Sequence, residues 1–158
     1  MLLFGHDQTL ARWAGDRLDI ADFSPCTAIG VARGDEIVAV AIYNNYRPPN
    51  IEITFVTASP TWASKGAIRA MLRYPFVQLR CARLTAVTQA DNTGARGFLV
   101  RLGFRQEGYH REALRTGDAV SYGLLAKDAI RWIGIGNTIQ CAEATGRRSH
   151  NPDYGSPT

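Results

Sequence analysis

The stretch from Arg83 to Leu125 constrains the fold more tightly than any other part of the chain. Arg83 to Thr88 reads as a strand. Asp91 or Asn92 then opens a helix, because a short polar side chain accepts a bond from a backbone amide left free at a helix start. That helix runs to about Leu102 and stops at Gly103, since glycine enters the left-handed conformation that ends a helix at little cost. Phe104 to Tyr109 and Ala119 to Leu125 read as two closing strands. A strand, a helix and two more strands in so short a run commit the chain to an α/β sheet with helices packed on it.

The upstream half fits the same plan. A helix is expected from near Asp7, with Asp7 as its cap and Leu10, Trp13, Ala14 and Leu18 at helical spacing. Asp22-Phe23-Ser24-Pro25 breaks it. Thr27 to Arg33 and Glu36 to Asn44 read as strands joined by a turn at Gly34-Asp35, and Ile37, Val38, Val40 and Ile42 suit a pleated surface. Arg47-Pro48-Pro49-Asn50 reads as a loop, because two prolines cannot continue a ladder. Ile51 to Thr57 is a third strand, and a turn at Ala58 to Trp62 leads to a helix near Ser64 with Ile68, Met71 and Leu72 on one face. Pro75 interrupts that helix before about Leu79. The order is helix, three strands, helix, strand, helix, two strands, on a largely antiparallel sheet. Residues 1–130 form the expected domain, and 131–158 an extension in which Arg131-Trp132-Ile133 adds one turn and Ala144 to Thr158 is expected to be disordered.

Composition narrows the class. With 158 residues, 46% of them hydrophobic, the chain can bury one core and is not disordered throughout. Its net charge of +4 suits an anionic partner, but the arginines are spread rather than gathered, which disfavours a nucleic-acid footprint without removing it. Cys26, Cys81 and Cys141 lack the number and spacing of a disulfide framework or a zinc site, and His6 and His110 have no companion ligands, so no metal is expected. No apolar run reaches membrane-spanning length and no signal peptide is evident, so a cytoplasmic protein without a membrane partner is expected.

The series Asn92-x-x-Ala95-x-x-Phe98-x-x-x-x-Gly103-Phe104, then Glu107-Gly108 and Arg111, resembles the Gcn5-related N-acetyltransferase (GNAT) superfamily. It is most similar to the branch acting on ribosomal-protein N-termini. The resemblance extends back through Ala67 to Leu72, Tyr74-x-Phe76 and Arg83-Leu84-x-Ala86, and forward to Tyr122-Gly123-Leu124-Leu125. It implies an α/β acyl-CoA N-acyltransferase fold, a mostly antiparallel mixed sheet flanked by helices. It also implies acetyl-CoA or another acyl-CoA as co-substrate. The family's central strand pairs with pantetheine, which points to Phe55, Val56 and Thr57. Its pyrophosphate turn falls at Ser64, Lys65 and Gly66, where a helix N-terminus presents free amides. This sequence carries one glycine there, where the family pattern has two small residues. Asn92 and Phe98 take the positions beside the pantetheine arm. Both also have plain structural readings, a helix cap and a core residue.

Glu52 stands where histone-acetylating members carry a general base. An ammonium has no lone pair, so a carboxylate that takes its proton makes it a nucleophile. Its other reading is a solvent-facing strand residue. The tyrosine that follows the Phe98 position in many members is replaced by Leu99. Tyr122, with Tyr109 and Ser121 as alternatives, is the candidate acid for the leaving thiolate, which can also depart unaided because thiols are acidic. Arg111 takes a position at which family members line the acceptor cleft, which implies contact with an acidic substrate; its other reading is a surface ion pair. No cysteine–histidine pair suggests a covalent intermediate. The expected activity is therefore transfer of an acyl group to a primary amine by direct attack. The alternatives are a weak or inactive GNAT-fold binding module and a nucleic-acid-modifying relative. The amine is unidentified, and a homodimer is open.

Overall fold

The β-branched run from Ile37 to Ile42 forms the spine of the sheet. In the computed structural model, which describes residues 1–134, that run lies in β3 (Glu36–Arg47). It is flanked by β2 (Thr27–Arg33) and β4 (Asn50–Thr57), both antiparallel to it. The remaining elements are β1 (Leu2–Leu3), α1 (Asp7–Leu18), α2 (Lys65–Arg73), β5 (Arg83–Gln89), α3 (Thr93–Leu102), β6 (Arg105–Leu114), β7 (Gly117–Leu125) and α4 (Ile130–Ile133). A single seven-stranded sheet results, in the order β1-β2-β3-β4-β5-β7-β6, antiparallel except between β4 and β5. This is the GNAT acetyltransferase fold.

Alternation along the strands sends apolar side chains to two cores. On one face Ile51, Ile53, Leu84, Ala86, Val120, Tyr122 and Leu124 pack with Ile68, Met71 and Leu72 of α2 and Leu99 and Leu102 of α3. On the other, Ala28, Val40, Ile42 and Val56 pack with Leu10 and Ala14 of α1. α1 covers β2, β3 and β4, whereas further along that face Val87 of β5 stands 44% exposed.

The helix ends follow from their sequences. Ser64 Oγ accepts from the Ala67 amide at 3.1 Å and Asn92 Oδ1 from the Ala95 amide at 3.0 Å, each capping the helix that follows. Gly103 ends α3 at φ 111°, where a side chain would be strained. After α2, a π-helical turn over Tyr74–Gln78 carries Pro75. Proline lacks the N–H that a continuing α-helix needs.

Three readings of the sequence are corrected, and one strand is added. Asp7 does not cap α1; its carboxylate accepts from the Ala28 amide at 2.8 Å and ties the helix start to β2, while His6 occupies the cap position without a side-chain bond. The stretch between the strands expected to end at Asn44 and to begin at Ile51 is mostly strand, because β3 continues through a bulge to Arg47 and only Pro48 and Pro49 separate it from β4. The Tyr109–Ala119 segment is likewise the end of a long hairpin, with register shifts after Gln106 and after His110. Those bulges and a largely exposed β6 hide the period-two pattern. Leu2–Leu3 adds a short strand that was not read at all. Cys141 and the Ala144–Thr158 segment lie outside the described residues.

Candidate active site

β4 is held differently on its two sides. Toward β3 its register runs from Ala39↔Thr57 to Asn44↔Glu52. Toward β5 it pairs only at Asn50↔Arg83, Ile51↔Leu84 and Glu52↔Thr85, although β4 continues to Thr57 and β5 to Gln89. β5 meanwhile stays paired with β7 as far as Gln89↔Ala119. The inner flanks of β4 and β5 therefore diverge after Glu52 and Thr85 into a wedge. Backbone groups of Ile53 to Thr57 that point toward β5 meet no strand among the described residues, and an unpaired strand edge is a template for hydrogen bonding. Phe55, Val56 and Thr57 all lie on that edge.

Aromatic side chains wall the wedge on the side of α2 and α3. The Phe55 ring meets Phe98 edge-on at 5.2 Å between centroids, and Trp62 stands 5.5 Å from Phe98 and 6.2 Å from Phe55. Edge-to-face packing of this kind suits the charge distribution of the rings. Ser64, Lys65 and Gly66 open α2, and Asn92 opens α3. Both helices begin beyond the carboxyl ends of the two parallel strands, where open α/β sheets bind their ligands. The first amides of each helix have no carbonyl of their own helix to bond.

The opposite face is polar. Glu52 is half-buried at the vertex of the wedge, and its Oε2 accepts from Asn45 Nδ2 at 2.9 Å. Asn45 sits in the β3 bulge at φ 51°, a conformation asparagine tolerates better than most residues. Beside Glu52, Arg83 donates through Nε to Asn50 Oδ1 at 3.1 Å and through Nη2 to Thr85 Oγ1 at 3.1 Å. Its guanidinium also grips Glu107, with Nη1 to Oε2 at 3.1 Å and Nη2 to Oε1 at 2.5 Å. That bond holds the Glu107 carboxyl below its ordinary range and pushes the guanidinium up. Further along, His110 Nε2 and Ser121 Oγ lie 2.9 Å apart, and Tyr109 donates to Asp118 at 2.5 Å, lowering that carboxyl and raising the phenol.

The two residues read as catalytic lie on opposite faces of the sheet. Tyr122 is 2% exposed beneath α3, and its hydroxyl accepts from Arg96 Nε at 3.0 Å. Arg96 also donates to the Ala90 carbonyl at 2.8 Å and to Gln106 at 3.1 Å. Arg111 stands exposed in the β6 bulge, apart from Glu52 and the wedge wall. Leu99 is buried in the core. A concavity of ≈ 570 Å³ between the β1–α1 connection, β2 and α2 includes Gly66 in its lining, and another of ≈ 680 Å³ lies beside the β2–β3 turn. Among the described residues no cluster of His, Cys, Asp and Glu is set to hold a metal, and no helix is long and apolar enough to cross a membrane.

The family model for "Acetyltransferase (GNAT) family" matches residues 4–104, more than half of the chain. The chain belongs to the GNAT acetyltransferase family. Solved GNAT structures share its fold at low identity. A ribosomal-protein-S5-alanine acetyltransferase from Vibrio fischeri is 16% identical at TM-score 0.58, over 74% of this chain and 69% of that one. A Bacillus subtilis acetyltransferase in complex with CoA is 16% identical at TM-score 0.60, over 78% and 97%. A variant spermidine N-acetyltransferase from Vibrio cholerae is 14% identical at TM-score 0.63, over 83% and 98%. No curated protein sequence matches the chain.

Several residues of this GNAT site were not singled out in the sequence. Trp62 was read only as a turn residue, and Arg96, Asn45 and the Arg83–Glu107 network were not read as partners. Asn45 meets Glu52 seven positions away, Arg83 meets Glu107 24 away and Asn50 33 away, and Arg96 meets Tyr122 26 away, and nothing in local spacing signals these contacts. The one local sign is Gly123, where a Cβ would meet the Glu107 carboxylate.

Proposed function

We propose that the protein transfers an acetyl or related acyl group from acyl-CoA to a primary amine by direct attack in a ternary complex. The divergence of β4 from β5 carries this reading. The two amides of pantetheine supply the partners that the Phe55–Thr57 edge lacks, in the manner of an added strand. Phe98 and Asn92 flank the arm, and the turn at Ser64, Lys65 and Gly66 receives the pyrophosphate through the Lys65 and Gly66 amides and the Lys65 charge, the Ser64 amide itself being bonded to the Trp62 carbonyl at 2.9 Å. The CoA complex of the Bacillus subtilis relative supports the same co-substrate.

The amine arrives from the polar face. Glu52 takes its proton, directly or through water, and the nitrogen attacks the thioester carbonyl carbon. The C–S bond breaks and CoA leaves as thiolate or thiol. Tyr122 is the proposed acid, acting through its own O–H while Arg96 holds the oxygen; its position beneath α3, on the sheet face opposite Glu52, supports assigning it to the cofactor side. Holding both reactants together supplies much of the rate, and a β4 amide polarises the carbonyl. Arg111 is proposed to contact the acceptor from the β6 bulge.

Thermal melting with acetyl-CoA tests the reading. Binding to the folded state alone stabilises it by about 2.7 kcal/mol at a ligand concentration of 100 times Kd, so Tm rises. An unchanged Tm at millimolar acetyl-CoA sinks the proposal. Buried Leu99 and the single-glycine turn favour a second reading, a CoA-binding module with little turnover, in which Tm rises but no acceptor amine is acylated. The domain is proposed to span 1–130, in the cytoplasm.

A further inference from the structure

We infer that the Arg83–Glu107 pair is a clamp that fixes where the β4–β5 wedge closes and so positions the cofactor-binding edge of β4; the inference rests on the acyl-CoA reading above. Parallel pairing between β4 and β5 covers only three residues, Asn50–Glu52 against Arg83–Thr85. Parallel ladders are also slightly less stable per residue than antiparallel ones. Something besides backbone bonds must hold the two strands together at the vertex.

The polar network supplies it. Arg83 Nε reaches Asn50 across to β4 at 3.1 Å, and Thr85 Oγ1 donates to the same Asn50 oxygen at 2.8 Å. On the far side the guanidinium fork takes both oxygens of Glu107, which comes from β6. Charge-assisted, two-pronged bonds of this type fix orientation as well as adding strength. Glu107 must cross β7 to make them, and it crosses at Gly123, the β7 residue paired with Thr85 on one side and Arg105 on the other. A Cβ at Gly123 would overlap the Glu107 carboxylate. The clamp thus spans β4, β5, β7 and β6 on the paired side of the vertex, and none of its members lies on the diverging segments. Arg83 and Glu107 touch neither the aromatic wall nor the edge at Phe55–Thr57. They are positioning residues.

The test uses the full chain with Glu107→Gln and Gly123→Ala. In amide hydrogen exchange without ligand, both variants should exchange faster at residues 50–52 and 83–85 and at the wild-type rate in β2 and β3. In steady-state assays KM for acyl-CoA should rise about threefold to fivefold while kcat changes by less than about twofold. A pair that only adds stability would lower Tm and leave KM unchanged. Wild-type exchange at the vertex together with wild-type KM in Glu107→Gln overturns the clamp, and this variant decides alone if Gly123→Ala does not fold. Should the wild-type chain fail to bind acyl-CoA, the acyl-CoA reading falls, and the exchange data still decide whether the clamp exists.

Discussion

The two flanks of β4 carry the same backbone and do opposite things. Toward β3 the strand is zipped from Thr57 to Glu52, with Val40, Ile42 and Val56 packed under α1. Toward β5 it is zipped for three residues and then released, with polar side chains gathered at the point of release. One flank uses its hydrogen bonds in the fold, and the other leaves them open for the proposed ligand. A strand can do both because its alternate backbone groups point to opposite neighbours, so ordering one edge leaves the other edge rigid and unpaired. Rigidity without pairing is what a site that positions a thioester needs.

Changes on the two flanks should therefore separate chemistry from stability. On the open flank, Glu52→Gln keeps the Asn45 contact available but cannot take a proton. A general base contributes about 10²–10⁴-fold, so kcat should fall by that order with little change in Tm; unchanged turnover removes Glu52 as the base. On the closed flank, Ile42→Ala deletes a fully buried side chain from the α1 core. Such truncations cost about 2–5 kcal/mol. Urea unfolding should show that loss, while kcat per folded molecule stays near wild type. A fall in kcat for folded Ile42→Ala matching that of Glu52→Gln would break the distinction between the flanks.

How much of this was legible before the structure follows the same division. The closed flank was readable, because Ile37 to Ile42 and Ile51 to Thr57 carry β-branched, partly alternating residues that announce strands. Ser64, Asn92 and Gly103 announce helix ends through local bonds three or four residues away. Asp7 misled because the same carboxylate that suits a cap found the Ala28 amide, 21 residues distant. The last hairpin was cut short because Glu107 and the Arg111–Ala113 segment are bulged and exposed, which erases the period of two. At the site, Glu52 and the Phe55–Thr57 edge came from family resemblance, and only the register shows that pairing stops beside Glu52. Trp62, Arg96 and the Arg83–Glu107 pair act through long-range contacts that no spacing rule encodes.

The smallest expected effect probes the vertex by pH. Arg83 lowers the Glu107 carboxyl from its unfolded value near 4.5. A carboxyl lowered on folding stabilises the folded state fully above its unfolded pKa, and that contribution disappears as pH falls through the folded pKa. The side chains are 30% and 42% exposed, so solvent screens the pair, and exposed pairs are worth about 0.2–1 kcal/mol. Wild type should therefore exceed Glu107→Gln in unfolding free energy by no more than about 1 kcal/mol at neutral pH. The gap should close as pH falls below 4.5 through the lower folded value, and it should shrink in high salt. Urea titrations of both proteins across that range would show it. A gap that persists in acid would mean that Glu107 stabilises the vertex by shape and not by charge.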